Sequence, residues 1–196
     1  YWLTPNFIKS NQAFRLAPSP IGRVIQIMLV RYHKSPVGPY DELLILDHPL
    51  MSKRHLSSIP KIYVSTPASV MNGQRFWGIP KQLAQFEWVI KDDVVYCTIS
   101  FQQQEMSLHL QKYKHSQTFY INSHHIPARL LNIHQTWQGL HYQFSPQFRG
   151  KLCKLKQASW KNTLDIFPDF SQAKYLQSFY VPEFKLTLPS AKMNKK

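Results

Sequence analysis

The chain has 196 residues, enough for a single domain with a sizeable core. A hydrophobic fraction of 43% with only 17% charged residues excludes a disordered chain, and no apolar run reaches the roughly 18 residues of a transmembrane segment. Lysine and arginine (24) exceed aspartate and glutamate (10) by 14, which admits an anionic partner; yet the basic residues are scattered through strand-like segments, a pattern that argues against nucleic acid.

The chain opens on Tyr1 rather than methionine and is read as trimmed at its N-terminus. Residues 1–20 carry Pro5, Pro18 and Pro20 without a sustained period and read as an irregular lead-in. Arg23 to Tyr32 is β-branched and apolar, a buried strand. The turn Ser35 to Tyr40 leads to a second strand, Glu42 to Leu46, ended by His48-Pro49. Lys61 to Thr66 alternates as a third. Pro67 to Gly73 predicts one or two helical turns stopped by Gly73, and Gln82-Leu83-Ala84 a short helix-like patch.

Phe86 to Ile90, Val94 to Phe101 and Glu105 to Lys112 read as consecutive strands, the first two joined at Asp92-Asp93. After a loop near Ser123 to Pro127, Gln135 to Phe144 and Lys151 to Trp160 predict a strand pair across Gln147-Phe148-Arg149-Gly150. Ser178 to Leu188 closes the sheet, and residues 191–196 form a frayed basic tail. Some nine short strands with a few short helices predict a mainly β (α+β) domain over residues 1–196, with an antiparallel sheet closed as a barrel or sandwich to hide its edges.

Cys97 and Cys153 are too few for a disulfide framework; they read as buried free thiols and favour a reducing cytoplasm. Nine histidines raise the question of a metal, but their spacing forms no ligand set and Cys-x-x-Cys is absent. Gly-x-Ser-x-Gly, a phosphate loop and a dinucleotide fingerprint are absent too. What remains is a lysine and a carboxylate, each next to a constrained turn. Lys81 follows the rigid Gly78-Ile79-Pro80, where proline fixes its own φ and biases its predecessor to an extended backbone. Glu42 enters a strand directly after Gly38-Pro39-Tyr40-Asp41, with Asp41 and Glu42 on opposite faces. An inward pair would suit Schiff-base chemistry; on these residues alone, the plainer reading of a surface cation with a carboxylate partner prevails.

At these two motifs the sequence resembles the acetoacetate decarboxylase superfamily, as a divergent member. Tyr40-Asp41-Glu42 after SPVGP is similar to the family's Tyr-x-Glu segment. Gly73-x-x-x-Trp77-Gly78-Ile79-Pro80-Lys81 is similar to its Gly-Arg-Glu-x-x-Gly-x-Pro-Lys-Lys segment. The resemblance spans roughly Gly22 to Phe101. It implies a β-barrel or cone enclosing a pocket, Lys81 as the imine-forming lysine, Glu42 as the pocket carboxylate, and Arg75, Trp77, Gln82 and Tyr40 as substrate-binding residues. It further implies a small-molecule β-keto acid or related carbonyl substrate, no metal or organic cofactor, and, since many members assemble, a homo-oligomer. Aldol cleavage and dehydration use the same lysine and are not separable from decarboxylation here.

In that chemistry the amine must be neutral to attack. A free lysine with pKa ~10.4 is neutral in about one molecule in 2,500 at pH 7, a deficit of roughly 4.6 kcal/mol. Desolvation or a neighbouring cation supplies this, and acetoacetate decarboxylase is the standard example of the second. The chain departs from the family in three places: Gln82 replaces the second lysine, so the neighbouring cation is lost; Gln74-Arg75 replaces Arg-Glu; and a further family glutamate falls near apolar Ile27. These departures leave open an alternative, a non-catalytic β-barrel that binds a small apolar or carbonyl ligand.

Overall fold

The computed structural model describes residues 2–4, 22–50, 57–161, 166 and 173–195; most of the lead-in of residues 1–20 lies outside them. In chain order the elements are β1 (Trp2–Thr4), β2 (Arg23–Tyr32), β3 (Tyr40–Pro49), β4 (Ser58–Val64) and helix α1 (Pro67–Trp77). Then come β5 (Lys81–Leu83), β6 (Gln85–Lys91), β7 (Val94–Phe101), β8 (Gln104–Lys112) and β9 (Thr118–Asn122). A 3-10 turn (Ser123–His125) and α2 (Ala128–Leu131) precede β10 (Ile133–Trp137), β11 (Leu140–Phe144) and the long β12 (Gln147–Lys161). The chain closes with β13 (Lys174–Tyr175), β14 (Phe179–Tyr180), β15 (Phe184–Thr187) and β16 (Lys192–Lys195).

The architecture is mainly β with a few short helices. The strands form three sheets: six strands in the order β13-β1-β2-β3-β4-β5, three in the order β10-β11-β16, and seven built on β14-β12-β8-β7-β6 with β9 and β15 also on β12. No ladder among the described strands joins the first strand of a sheet to its last. The six-stranded sheet is covered on both faces, which explains the near-continuous apolar runs of β2 and β3. Ile25, Leu43, Ile45 and Tyr63 pack on Cys97, Ile99, Met106 and Leu108 of the seven-stranded sheet. From the opposite face, Leu44, Ile62 and Val64 pack on Ile79, Ile133 and Phe144, beside α1 and the three-stranded sheet.

Alternation settles which residues join which core. β2 and β3 pair through Val30↔Glu42 and Tyr32↔Tyr40, β3 and β4 through Glu42↔Val64, and β4 and β5, in parallel, through Ile62↔Lys81. Tyr32, Tyr40, Glu42, Val64 and Lys81 therefore share the face that looks toward α1. Asp41 faces the other way, with its carboxylate 3.7 Å from Arg31.

Several expected boundaries move, each for a local reason. β3 runs through His48-Pro49, because a proline at a strand end needs no ladder donor there. The helix does not stop at Gly73. Thr66 caps it by accepting from Ser69 N at 3.4 Å, Pro67 occupies its first turn, and Gly78 ends it in the left-handed region at φ 60°. The patch at 82–84 is strand rather than helix, since Lys81–Leu83 continues the sheet beside β4. Residues 147–150 are the start of β12, not a turn, and Gln135–Phe144 is a hairpin rather than one strand. Its two-residue loop, Gln138-Gly139, carries the two positive φ values (48° and 78°) that a tight hairpin needs. Lys192–Lys195 pairs with β11, so the tail expected to fray is a sheet edge.

Candidate active site

Lys81 is built into the structure from two directions. From the sheet, β5 starts at this residue immediately after the Gly78 cap and Pro80, with Gln74 Nε2 donating to the Lys81 carbonyl at 3.0 Å. From the helix, Gly73 supplies the room for its stem. A Cβ at Gly73 would lie 2.6 Å from Lys81 Cδ and 2.7 Å from Cε, well inside van der Waals contact. The glycine that the sequence suggested as a helix stop is thus a cradle in mid-helix. It carries the unfavourable helix propensity of glycine because the lysine must pass there.

The ammonium group ends in a buried polar knot. Lys81 Nζ donates to Glu42 Oε2 at 2.9 Å and to Ser69 Oγ at 3.0 Å, and all three residues are buried. Tyr32 donates from its hydroxyl to the other carboxylate oxygen, Oε1, at 3.2 Å. The Tyr40 ring lies with its centroid 5.0 Å from Nζ and 4.7 Å from that of Tyr32. Burial, reinforced by the charge of Glu42, pushes both phenols well above their ordinary range, so each remains a proton donor at neutral pH. Phe184 closes this side, edge-on to Tyr32 at 5.7 Å.

Of the residues singled out in the sequence, Lys81, Glu42 and Tyr40 are brought together. Three are not. Arg75 is exposed two residues beyond Gly73, around the helix from the lysine, with its guanidinium 5.3 Å from the Phe76 ring centroid. Trp77 donates from Nε1 to the Pro189 carbonyl at 2.7 Å and anchors the C-terminal segment. Gln82, the strand neighbour of Lys81, pairs with Tyr63 and belongs to the opposite face of the sheet. A lysine at that position would stand away from Nζ of Lys81, so its loss does not remove a cation from this knot.

Two members of the knot, Ser69 and Tyr32, escaped sequence reasoning. A signal existed for each: Ser69 precedes Gly73 by one helical turn, and Tyr32 lies directly across from Tyr40 once SPVGP is read as a hairpin loop. Among the described residues no group of three or more His, Cys, Asp or Glu side chains could hold a metal ion, and no helix is long and apolar enough to cross a membrane. The free cysteines Cys97 and Cys153 stand apart from the site; Cys97 is buried as expected, whereas Cys153 is half-buried.

The same arrangement of elements occurs in known proteins. An acetoacetate decarboxylase from Legionella pneumophila subsp. pneumophila str. Philadelphia 1 superposes with a TM-score of 0.63 at 11% identity, over 98% of this chain and 82% of that one. An acetoacetate decarboxylase-like enzyme from Sphingomonas wittichii RW1 gives 0.55 at 12%, over 81% and 70%. The enduracididine biosynthesis enzyme MppR, complexed with pyruvate, gives 0.53 at 15%, over 80% and 66%. No curated protein matches the chain by sequence. The sequence profile of acetoacetate decarboxylase nevertheless matches residues 14–150, which include both motifs and the whole Lys81 knot. The chain belongs to the acetoacetate decarboxylase family.

Proposed function

We propose that the protein is a Schiff-base enzyme that acts through Lys81 on a small β-keto acid or a related carbonyl compound. The observation that carries this reading is the buried contact of Lys81 Nζ with Glu42 Oε2 at 2.9 Å. Transfer of one proton across it converts an ammonium–carboxylate pair into an amine and a carboxylic acid. That neutral form holds the free nucleophile the reaction requires. The enclosing cone belongs to the same proposal, with the six- and seven-stranded sheets as its walls.

The steps balance with the groups present. Nζ attacks the ketone carbon, and Glu42, now protonated, returns its proton as the carbinolamine loses water. The resulting iminium accepts the electron pair released when the bond to the carboxylate breaks and CO2 leaves. The enamine so formed takes one proton from solvent at carbon, and water hydrolyses the iminium to free the ketone and return the lysine as its ammonium. Tyr32, held as a neutral phenol, steadies the Glu42 carboxylate by donating to it, and the Tyr40 ring faces the charge on Nζ. MppR, which shares the fold, is also seen with the condensation product of pyruvate and imidazole 4-carboxaldehyde. That supports including condensation among the reactions considered for Lys81.

A second reading, a non-catalytic domain that holds a small apolar or carbonyl ligand, draws on the same geometry. Nζ already donates to Glu42 and Ser69, as the cation of a purely structural ion pair would. The two readings part on one experiment. The protein is incubated with acetoacetate, pyruvate and a panel of aldehydes, then treated with borohydride and mapped by peptide mass spectrometry. A reduced adduct on Lys81 that is absent from Lys81→Ala supports the enzyme. An unmodified Lys81 across the whole panel, beside a labelled decarboxylase control, leaves the binding domain.

A further inference from the structure

A concave site lies apart from the Lys81 knot. It is a groove of about 790 Å³ between the 3-10 turn with α2 on one side and the β12–β15 pair on the other. Its floor is cationic. Arg149 of β12 and Lys185 of β15 are direct cross-strand partners, so their side chains leave the same face of the ladder as near neighbours. Like charges set opposite each other destabilise a sheet, and neither residue forms an ion pair with any described residue. His124 and His125 stand on the facing wall, where Asn122 Oδ1 holds the turn by accepting from His124 N at 3.0 Å.

No carboxylate lines the groove. The sequence has no acidic residue from Met106 to Leu164, and Glu183, two residues before Lys185, is not among the lining residues. A concave site lined only by cationic and neutral side chains focuses a positive potential into its centre. An apolar stretch of Ile126, Pro127, Leu131 and Pro146 completes the lining, beside the polar Ser145, Gln147 and Thr187. A bare anion would leave that stretch uncovered, and the volume falls in the range of about 300–1,000 Å³ typical of small-molecule sites.

We propose that this groove binds an organic phosphate, with its phosphate group held between Arg149 and Lys185 and its organic part laid against the Ile126–Leu131 wall. A phosphate suits the pair better than a single carboxylate does: its two charges answer two cations, and its oxygens match the planar fork of an arginine. The site is separate from the Lys81 chemistry. Arg149 and Lys185 line the groove, whereas none of Lys81, Glu42, Ser69, Tyr32 and Tyr40 does.

Calorimetric titration at low salt tests the assignment with inorganic pyrophosphate and adenosine monophosphate as probes. Both are expected to bind, adenosine monophosphate more tightly, and Arg149→Gln with Lys185→Gln is expected to weaken both by about tenfold or more, as for loss of charge-assisted hydrogen bonds. Lys151→Gln with Lys154→Gln removes the same net charge from exposed neighbouring positions and should leave both affinities unchanged. All four changes lie on exposed strand positions, so the variants retain the fold. Equal weakening by the two double variants would reduce the site to diffuse surface charge. Binding of pyrophosphate alone would refute the organic-ligand assignment and leave an inorganic phosphate site. Tighter binding of a short oligothymidylate that needs Lys151 and Lys154 as much as Arg149 and Lys185 would replace it with a nucleic-acid face. Absence of binding by any probe would overturn it altogether.

Discussion

Replacing Gly73 with alanine separates the two roles a glycine can have in a helix. In an ordinary helix interior the change stabilises by about 0.5–1 kcal/mol, since alanine has the better propensity and less backbone entropy to lose. Here the new methyl would sit 2.6 Å from Lys81 Cδ, against a normal carbon separation of about 3.5 Å, so the lysine stem must move by about 0.9 Å. It cannot do so freely, because Nζ is bonded to Glu42 at 2.9 Å and Ser69 at 3.0 Å. Overpacking of this kind costs about 1–3 kcal/mol, so the net effect in the wild-type background is a destabilisation of about 1 kcal/mol, with bounds near 0 and ~2.5. With Lys81→Ala the stem is gone, and Gly73→Ala should turn stabilising by the full propensity term. Urea unfolding of the four proteins measures the cycle, with an expected coupling of about 1–3 kcal/mol. If Gly73→Ala stabilises equally with and without Lys81, the glycine is no cradle and the reasoning fails.

Two further predictions rest on the same kind of bookkeeping. Asp47 is fully buried with Arg23 at 2.6 Å, its Oδ1 lacks a partner among the described residues, and burial, only partly opposed by Arg23, pushes its carboxyl up from 3.8 to about 6. The folded chain therefore holds more proton than the unfolded one between those values. Stability falls as pH rises through that window, by up to about 3 kcal/mol at ~1.36 kcal/mol per unit; Asp47→Asn should flatten this stretch of the urea-derived stability profile, and an unchanged slope would refute the assignment. Gly78 and Gly38 both have positive φ (60° and 85°), but a Cβ at Gly78 would run into the Tyr142 ring, nearest at Cδ2, whereas one at Gly38 meets nothing within 4 Å. Gly38→Ala should thus cost only the left-handed backbone term of about 1–2 kcal/mol, and Gly78→Ala about 2–5 kcal/mol once overpacking is added; equal losses in thermal or urea unfolding would show that the ring gives way.

The sequence revealed most where one rule acted alone. Arg23–Tyr32 was legible end to end, as a β-branched run with nothing in it to break a strand, and Val94–Phe101 likewise. Legibility failed where two rules competed for one residue. Gly73 satisfies the pattern of a helix stop, yet the stop is Gly78, and only the passage of Lys81 explains a glycine in mid-helix. Gln147–Gly150 has the look of a turn, yet pairing with β9 and β15 holds it extended, while the true tight turn at Gln138-Gly139 was overlooked. At the site, Lys81 and Glu42 announced themselves through constrained neighbours. Ser69 and Tyr32 meet them only across 12 and 10 residues of chain, and such closeness follows from register rather than composition. Arg75 was singled out for its charge, which says nothing about the helix face it occupies.

Position 82 shows how much of the candidate chemistry depends on face rather than on residue type. A lysine there reads in the sequence as a cation beside Lys81, but strand alternation sends it to the side of Tyr63. That side already carries Lys61, whose Nζ lies 5.2 Å from the Tyr63 ring centroid and 5.9 Å from that of Phe101, and whose pKa is lowered by burial. A second ammonium on this face would add like-charge repulsion there and leave Nζ of Lys81 untouched, whereas Gln82 adds none. Repulsion from an adjacent lysine is therefore not what frees the amine in the proposed reaction. The group within reach of that proton is Glu42, whose other carboxylate oxygen accepts from Tyr32, while Ser69 takes the second hydrogen bond from Nζ.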